Sequence, residues 1–210
     1  MNSSVTTAYE FAKQAHEGQY RKFGENPEPY FSHIERVLGQ LHEWEAQNMY
    51  GLDPTMVMVA LLHDVVEDTE NTLEDIANHF GYDVAVGVNW LTQPEKGNYK
   101  TRDEHVMAYA NQLSEAPEEI QVIKAADICA NSQDAKDGET WWKYRFISEK
   151  DHFIRKMGKL PDRIRNETVN QLENNGTSPN TPIAIPLTNS EDLNATDLEN
   201  NVLILNLDNI

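Results

Sequence analysis

Apolar positions recur along most of this chain at the three- and four-residue spacing of amphipathic helices. No segment before residue 173 sustains the period-two alternation of a half-buried strand. Thr6 or Thr7 can cap a first helix running to about His16, and Gly18 ends it. The loop QYRKFGENPEPY is broken by Pro27 and Pro29. The next helix starts near Ser32 and carries Ile34, Val37, Leu38 and Leu41 on one face. Asp53-Pro54 sets an N-cap before an N1 proline and opens the most apolar helix, TMVMVALLHDVVED. Thr72, with Asp75 three residues on, predicts a cap for LEDIANHF, which Gly81 ends, and Asp83 starts VAVGVNWLT. Thr101 with Glu104 forms a capping box for a helix to about Leu113, and Pro117 starts EEIQVIKAADICANSQ. A last helix covers about Glu139 to Met157, with Trp141, Trp142, Phe146 and Phe153 as anchors. The pattern predicts an all-α, compact helical bundle.

Composition divides the chain. Its 210 residues are 39% hydrophobic, enough for one core but lean for the full length. Residues 174–210 hold no Lys or Arg, five acids and nine Asn, with Pro179, Pro182 and Pro186. Such a stretch reads as a flexible tail on a domain spanning 1–173. Its end, NVLILNLDNI, is an apolar patch that can dock on the body or a partner, form a short strand, or remain a poorly ordered terminus.

Charge restricts the partners. Thirty-five acidic against 17 basic residues leave a net charge of −18, which repels nucleic acid and anionic membrane. A phosphorylated small molecule is repelled too, so it needs a local cationic centre, such as a metal with a few placed Arg or Lys residues. The single cysteine, Cys129, excludes an internal disulfide and a Cys-rich zinc site. No apolar run is long enough to cross a membrane, and MNSSVTTAYEFAKQ lacks the features of a secretory signal. A cytoplasmic location is the expectation.

Candidate chemistry starts at His63-Asp64, near the end of the most apolar helix, where a polar pair is costly to bury unless it is partnered. Glu67 follows His63 by four residues and Asp68 follows Asp64 by four, so helical spacing brings all four side chains toward one mouth of the bundle. Three carboxylates and an imidazole so close repel one another unless a cation or protons relieve them. A solvated acidic helix end fits the same pattern. Asp127 lies beside the apolar face of Ile120, Ile123, Ala126 and Ala130, where an acid needs a metal, a base or a helix N-terminus. A structural Asp bonded to a neighbouring loop is the alternative. Asn131 lies one turn further on the same side. His33 falls in the first turn of its helix, a place that also suits a cap or a surface residue. Together two His and two Asp form a mixed nitrogen and oxygen set suited to Mn, Fe or Zn. His16, His42, His79, His105 and His152 lack such company and read as structural or exposed.

The pieces RKFGENPEPYFSH, ALLHDVVEDT, TLEDIANHFG and KAADICAN stand in an order and at distances that resemble the HD-domain alarmone hydrolases. These comprise the hydrolase half of RelA/SpoT-type proteins and the stand-alone small alarmone hydrolases. The resemblance covers about residues 6–157, and LLHDVVEDT is its most specific part. It implies an HD-type bundle in which His33, His63, Asp64 and Asp127 hold one divalent ion, Mn. It implies that Glu67 and Asp68 position or activate the attacking water. Arg21 and Lys22 match the pair that embraces the nucleotide, and Asn131 matches an Asn that touches it. The implied reaction removes the 3′-pyrophosphate from guanosine tetra- or pentaphosphate. The residues outside the resemblance are too few for a synthetase domain.

The chain departs from the family's pattern around the substrate. Ile128 stands where a basic residue is usual, SQDAKDG replaces a basic or Thr-containing stretch, and His33 is followed by Ile34 rather than Pro. An HD enzyme acting on another nucleotide or dinucleotide phosphate is therefore a second reading. A nucleotide-binding regulator is a third, which an intact Glu67 and Asp68 argue against.

Overall fold

A computed structural model describes residues 3–21, 28–134, 140–176, 184–186 and 202–204. The fold is an all-α bundle. Its helices are α1 (Ser3–Ala15), α2 (Phe31–Ala46), α3 (Pro54–Leu62), α4 (Val65–Asp68), α5 (Leu73–Phe80), α6 (Tyr82–Leu91), α7 (Arg102–Glu115), α8 (Glu118–Asp134), α9 (Thr140–Lys156) and α10 (Asp162–Gly176). A short 3₁₀ turn, Lys96–Asn98, precedes α7.

Helix α8 is the axle of the bundle. Every residue from Ile120 to Ala130 is buried, and α2, α3, α6 and α10 all pack against it. A helix enclosed on all sides has no polar face to lose, so Gln121, Lys124 and Asp127 are taken inside with their partners. Gln121 shows the cost being met: its Nε2 donates to the Leu113 and Ala116 carbonyls, and its Oε1 accepts from Lys159 N.

The local start signals act largely as their chemistry requires. Asp53 accepts from the amides of Thr55 and Met56, with Pro54 at N1. Thr72 and Asp75 close a reciprocal capping box on α5. Gly81, at φ 94°, ends α5 and also caps α6, a conformation open to glycine because it lacks a Cβ. Asp83 thus sits in the first turn of α6 rather than at its start. Thr101 accepts from Glu104 N, but the Glu104 carboxylate takes the amide of Lys100 instead, so only half of the expected box forms. Helix α1 begins at Ser3, and Thr7 lies inside it with its hydroxyl bonded back to the Ser3 carbonyl.

Two expectations change more. The apolar segment is not one helix: α3 ends at Leu62, His63 and Asp64 form a turn, and α4 resumes at Val65. The C-terminal half also holds a further helix, α10. It is polar except at Ile164, Val169 and Leu172, and it buries Ile164, Thr168 and Leu172 at four-residue spacing against the core. The proposed tail boundary at 173–174 therefore falls within α10, and Asn175 still donates to Ser132 on α8. Of the expected α9 anchors, Phe146 and Phe153 are buried and Trp142 is partly so; the Trp141 side chain lies outside the described residues. Further on, β1 (Ala184–Pro186) pairs antiparallel with β2 (Val202–Ile204), so the apolar end of the chain supplies a short strand.

Candidate metal centre

His63, the C-cap of α3, keeps helical backbone angles and is buried. Its Nδ1 lies 2.8 Å from the carbonyl of Ala60, and since a carbonyl can only accept, Nδ1 carries the proton. Nε2 is left with a lone pair. It is buried without a hydrogen-bond partner, although Asp64 Oδ2 lies 3.2 Å away and Asp127 Oδ1 3.8 Å away. His33, in the first turn of α2, brings its Nε2 to 3.1 Å from Asp127 Oδ1 and 3.5 Å from Asp64 Oδ2. Ligand atoms of His33, His63 and Asp64 all lie within 4.8 Å of one another, a group able to hold a metal ion. Asp127 Oδ1 joins from the α8 side through its short distances to both imidazoles. All four residues singled out in the sequence thus converge.

Asp127 is held from two sides. Its Oδ2 accepts from Lys124 Nζ at 2.7 Å and its Oδ1 from Asn131 Nδ2 at 2.5 Å. Burial pushes this carboxyl up, but Lys124 and the two imidazoles outweigh burial and hold it well below the ordinary carboxylate range. Burial likewise opposes ionisation of Asp64, which His63 and His33 hold down. The imidazoles divide: burial drives His33 below its usual value, while Asp64 and Asp127 lift His63 well above its own against burial. The two carboxylates thus favour positive charge at the point where they meet the imidazoles. Hard carboxylate oxygens with imidazole nitrogens, one of them an orphaned buried lone pair, fit a divalent transition metal.

The remaining acids point apart. Glu67 and Asp68 follow Asp64 directly on α4, with Asp68 N donating to the Asp64 carbonyl at 2.9 Å, and their side chains take different partners. Glu67 turns to the loop after α6, where Gln93 Nε2 donates to it at 2.6 Å and Gln93 N at 3.2 Å. Burial first, and then the charge of Asp64, raise the Glu67 carboxyl above its ordinary value. Asp68 turns to Tyr30, whose hydroxyl lies 2.7 Å from both Asp68 Oδ2 and Asp64 Oδ2. Tyr30 is backed by His16, stacked at 4.8 Å, and His16 is tied through Gln19 to the Asp68 carbonyl. His16 thus has the structural role expected of it.

Arg21 reaches the same region. The chain on both sides of its loop is paired, Arg21 N to the Glu28 carbonyl and Tyr30 N to the Gln19 carbonyl, which ties Arg21 to the segment leading into His33. Its guanidinium lies 5.3 Å from the Tyr30 ring centre, and Nη2 donates to Asn131 Oδ1 at 2.8 Å. Asn131 therefore links Arg21 to Asp127. Lys22 lies outside the described residues. Ile128 is fully buried in the core.

Sequence reasoning passed over four residues of this centre. Lys124 had a signal, a cation three residues before Asp127 within an apolar stretch. Tyr30 stood in the quoted PYF without a role. Gln93 and Asp134 gave none, since each meets its partner only through the tertiary fold.

A helical bundle presenting two imidazoles and two carboxylates around one buried point defines the class of metal-centred α-helical domains. Residues 8–130 match the HD domain family, and the chain belongs to it. A guanosine-3′,5′-bis(diphosphate) 3′-pyrophosphohydrolase of Haemophilus influenzae is 38% identical over 57% of this chain and 17% of its own length. A protein of the same name from Aquifex aeolicus is 36% identical over 67% of this chain and 18% of its own. The chain thus spans under a fifth of these relatives. A solved structure described as a metazoan ortholog of SpoT that hydrolyzes ppGpp superposes with a TM-score of 0.71, over 82% of this chain and 94% of that one, at 22% identity, and so shares the fold.

Proposed function

We propose that the protein is a metal-dependent phosphohydrolase that removes the 3′-pyrophosphate of guanosine tetra- or pentaphosphate. The observation that carries the reading is the orphaned Nε2 of His63, its tautomer locked by Ala60 and its lone pair buried among His33, Asp64 and Asp127. These four residues would hold one divalent ion, Mn being well matched to mixed nitrogen and oxygen ligands. When bound, the ion lowers the pKa of water and neutralises phosphate charge.

The chain's own groups do the rest. Glu67, raised toward neutrality and oriented by Gln93, takes a proton from the attacking water. Asp68 and Tyr30 hold the Asp64 side of the centre. The water oxygen bonds to the phosphorus next to the 3′ oxygen, the 3′ O–P bond breaks, and that oxygen takes a proton as pyrophosphate leaves. Arg21, Lys22 and Asn131 bind the nucleotide. The similarity to curated 3′-pyrophosphohydrolases supports this choice of substrate.

The burial of Ile128, where the family usually has a cation, favours a second reading in which another nucleotide is the substrate. Mn-loaded protein incubated with a nucleotide panel decides between them. Release of pyrophosphate from guanosine tetraphosphate, lost on exhaustive chelation, is the expected result. Hydrolysis of other nucleotides but not this one would leave the metal site and remove the alarmone. Full activity after chelation would remove both.

A further inference from the structure

Asp134, in the last turn of α8, has no role in the reading above, yet it organises the cation that reading relies on. It lies seven residues after Asp127, two helical turns along, so Asp127, Asn131 and Asp134 line one face of α8 over about 10 Å. Arg21 spans the outer part of that face. Its Nε donates to Asp134 Oδ2 at 2.8 Å, its Nη2 contacts the same oxygen, and Nη2 also donates to Asn131. Arg36 of α2 holds Asp134 from behind, with Nη2 donating to Oδ1 at 3.2 Å, and Arg36 Nη1 is in turn bound by Glu28 at 2.9 Å.

The consequences are geometric and electrostatic. Three acceptor contacts fix the guanidinium plane, and the Tyr30 ring lies against it at 5.3 Å. Two guanidiniums and two carboxylates in the chain Arg21, Asp134, Arg36 and Glu28 sum to zero. A fixed, charge-compensated guanidinium is a poor phosphate trap and a good planar surface for an aromatic base. We propose that Asp134, braced by Arg36, is a positioning residue that holds Arg21 as a shelf for the nucleotide base. This rests on the nucleotide hydrolase reading and adds Asp134 and Arg36 as the residues that set the plane of Arg21.

Two measurements test it. In NMR spectra of the ligand-free full chain, the Arg21 Nε–H signal should be protected from exchange, lost in Asp134→Ala and recovered in Asp134→Glu. In kinetics with guanosine tetraphosphate, Asp134→Ala should raise KM about tenfold with kcat changed less than twofold. Adding it to Arg21→Ala should change KM less than twofold further, since both act through one group. An Nε–H signal indifferent to Asp134, a lowered KM in Asp134→Ala, equal changes in kcat and KM, or multiplying effects in the double variant would each overturn the proposal. A lowered KM would mark Asp134 as a charge that repels phosphate. Absence of turnover with every nucleotide would instead remove the hydrolase reading, and the NMR result would still decide whether Asp134 positions Arg21.

Discussion

Lys124 Nζ donates to Asp127 Oδ2 at 2.7 Å inside the bundle, leaving Oδ1 of the same carboxylate toward His33 and His63. The ammonium also lies 5.1 Å from the centre of the Tyr109 ring. One carboxylate thus faces a fixed cation on one side and the metal position on the other, so the lysine compensates the burial of Asp127 when no metal is bound. Lys124→Met would strand that carboxylate in metal-free protein. A destabilisation of about 3–5 kcal/mol is expected, the usual cost of halving a buried ion pair. Bound metal should recover part of it. Denaturant titrations with and without Mn measure both, and equal losses in the two forms would show that Lys124 and the metal do not share Asp127.

Glu67→Gln and Asp68→Asn should leave metal binding largely intact and lower kcat by about 10²-fold or more, the scale of a positioned acid or base. The pH profile gives a second reading for Glu67. Its carboxyl is raised by burial and by Asp64, and it must be ionised to take a proton. Activity of the metal-loaded protein should therefore fall with decreasing pH as Glu67 takes up a proton, and Glu67→Gln should remove that limb.

The same shift has a stability sign. An acid whose folded pKa exceeds its unfolded value costs stability once pH rises above the unfolded value, with the full cost present above the folded one. Metal-free Glu67→Gln protein should then be more stable than the parent at neutral pH, while less active. Melting curves at pH 4 and pH 7 test this: the gain should be present at pH 7 and smaller at pH 4.

Gly87 of α6 allows α3 to approach closely. A Cβ there would meet Val59 Cγ2 at 2.5 Å and Val59 Cγ1 at 3.1 Å. Gly87→Ala should cost about 1–3 kcal/mol, the range for overpacking a core. Because α3 carries His63 at its end, weaker Mn binding should accompany the loss. Val59→Ala in the same protein should restore much of both, measured by thermal melts and metal titration.

Truncation after Glu173 would cut α10 and remove the Asn175 contact to Ser132. Cutting after Gly176 keeps the helix and every candidate site residue. The shorter chain is expected to fold, bind metal and hydrolyse substrate with kcat and KM within twofold of the full chain. A folded, metal-loaded protein without turnover would show that the segment beyond 176 completes the site.

Much of this protein was legible locally. Caps at Asp53 and Thr72, the turn at Gly81 and the helical period of the apolar residues act within a few residues of chain, and short-range hydrogen bonding and sterics decide them. His63, Asp64 and Asp127 were legible because polar groups in apolar helices are costly unless partnered, whereas His33, in the first turn of its helix, joined them through the family resemblance. Helix α10 escaped because its buried stripe is only three residues wide and is stabilised by α8 rather than by its own composition. The break at His63-Asp64 escaped for a similar reason: helix propensity favours continuity there, and what orients the two side chains is the pull of α2 and α8. The partners of the site residues belong wholly to the tertiary structure. Gln93 meets Glu67 across 26 residues and Asp134 meets Arg21 across 113, contacts that no spacing along the chain encodes and only the packed bundle brings within hydrogen-bond reach.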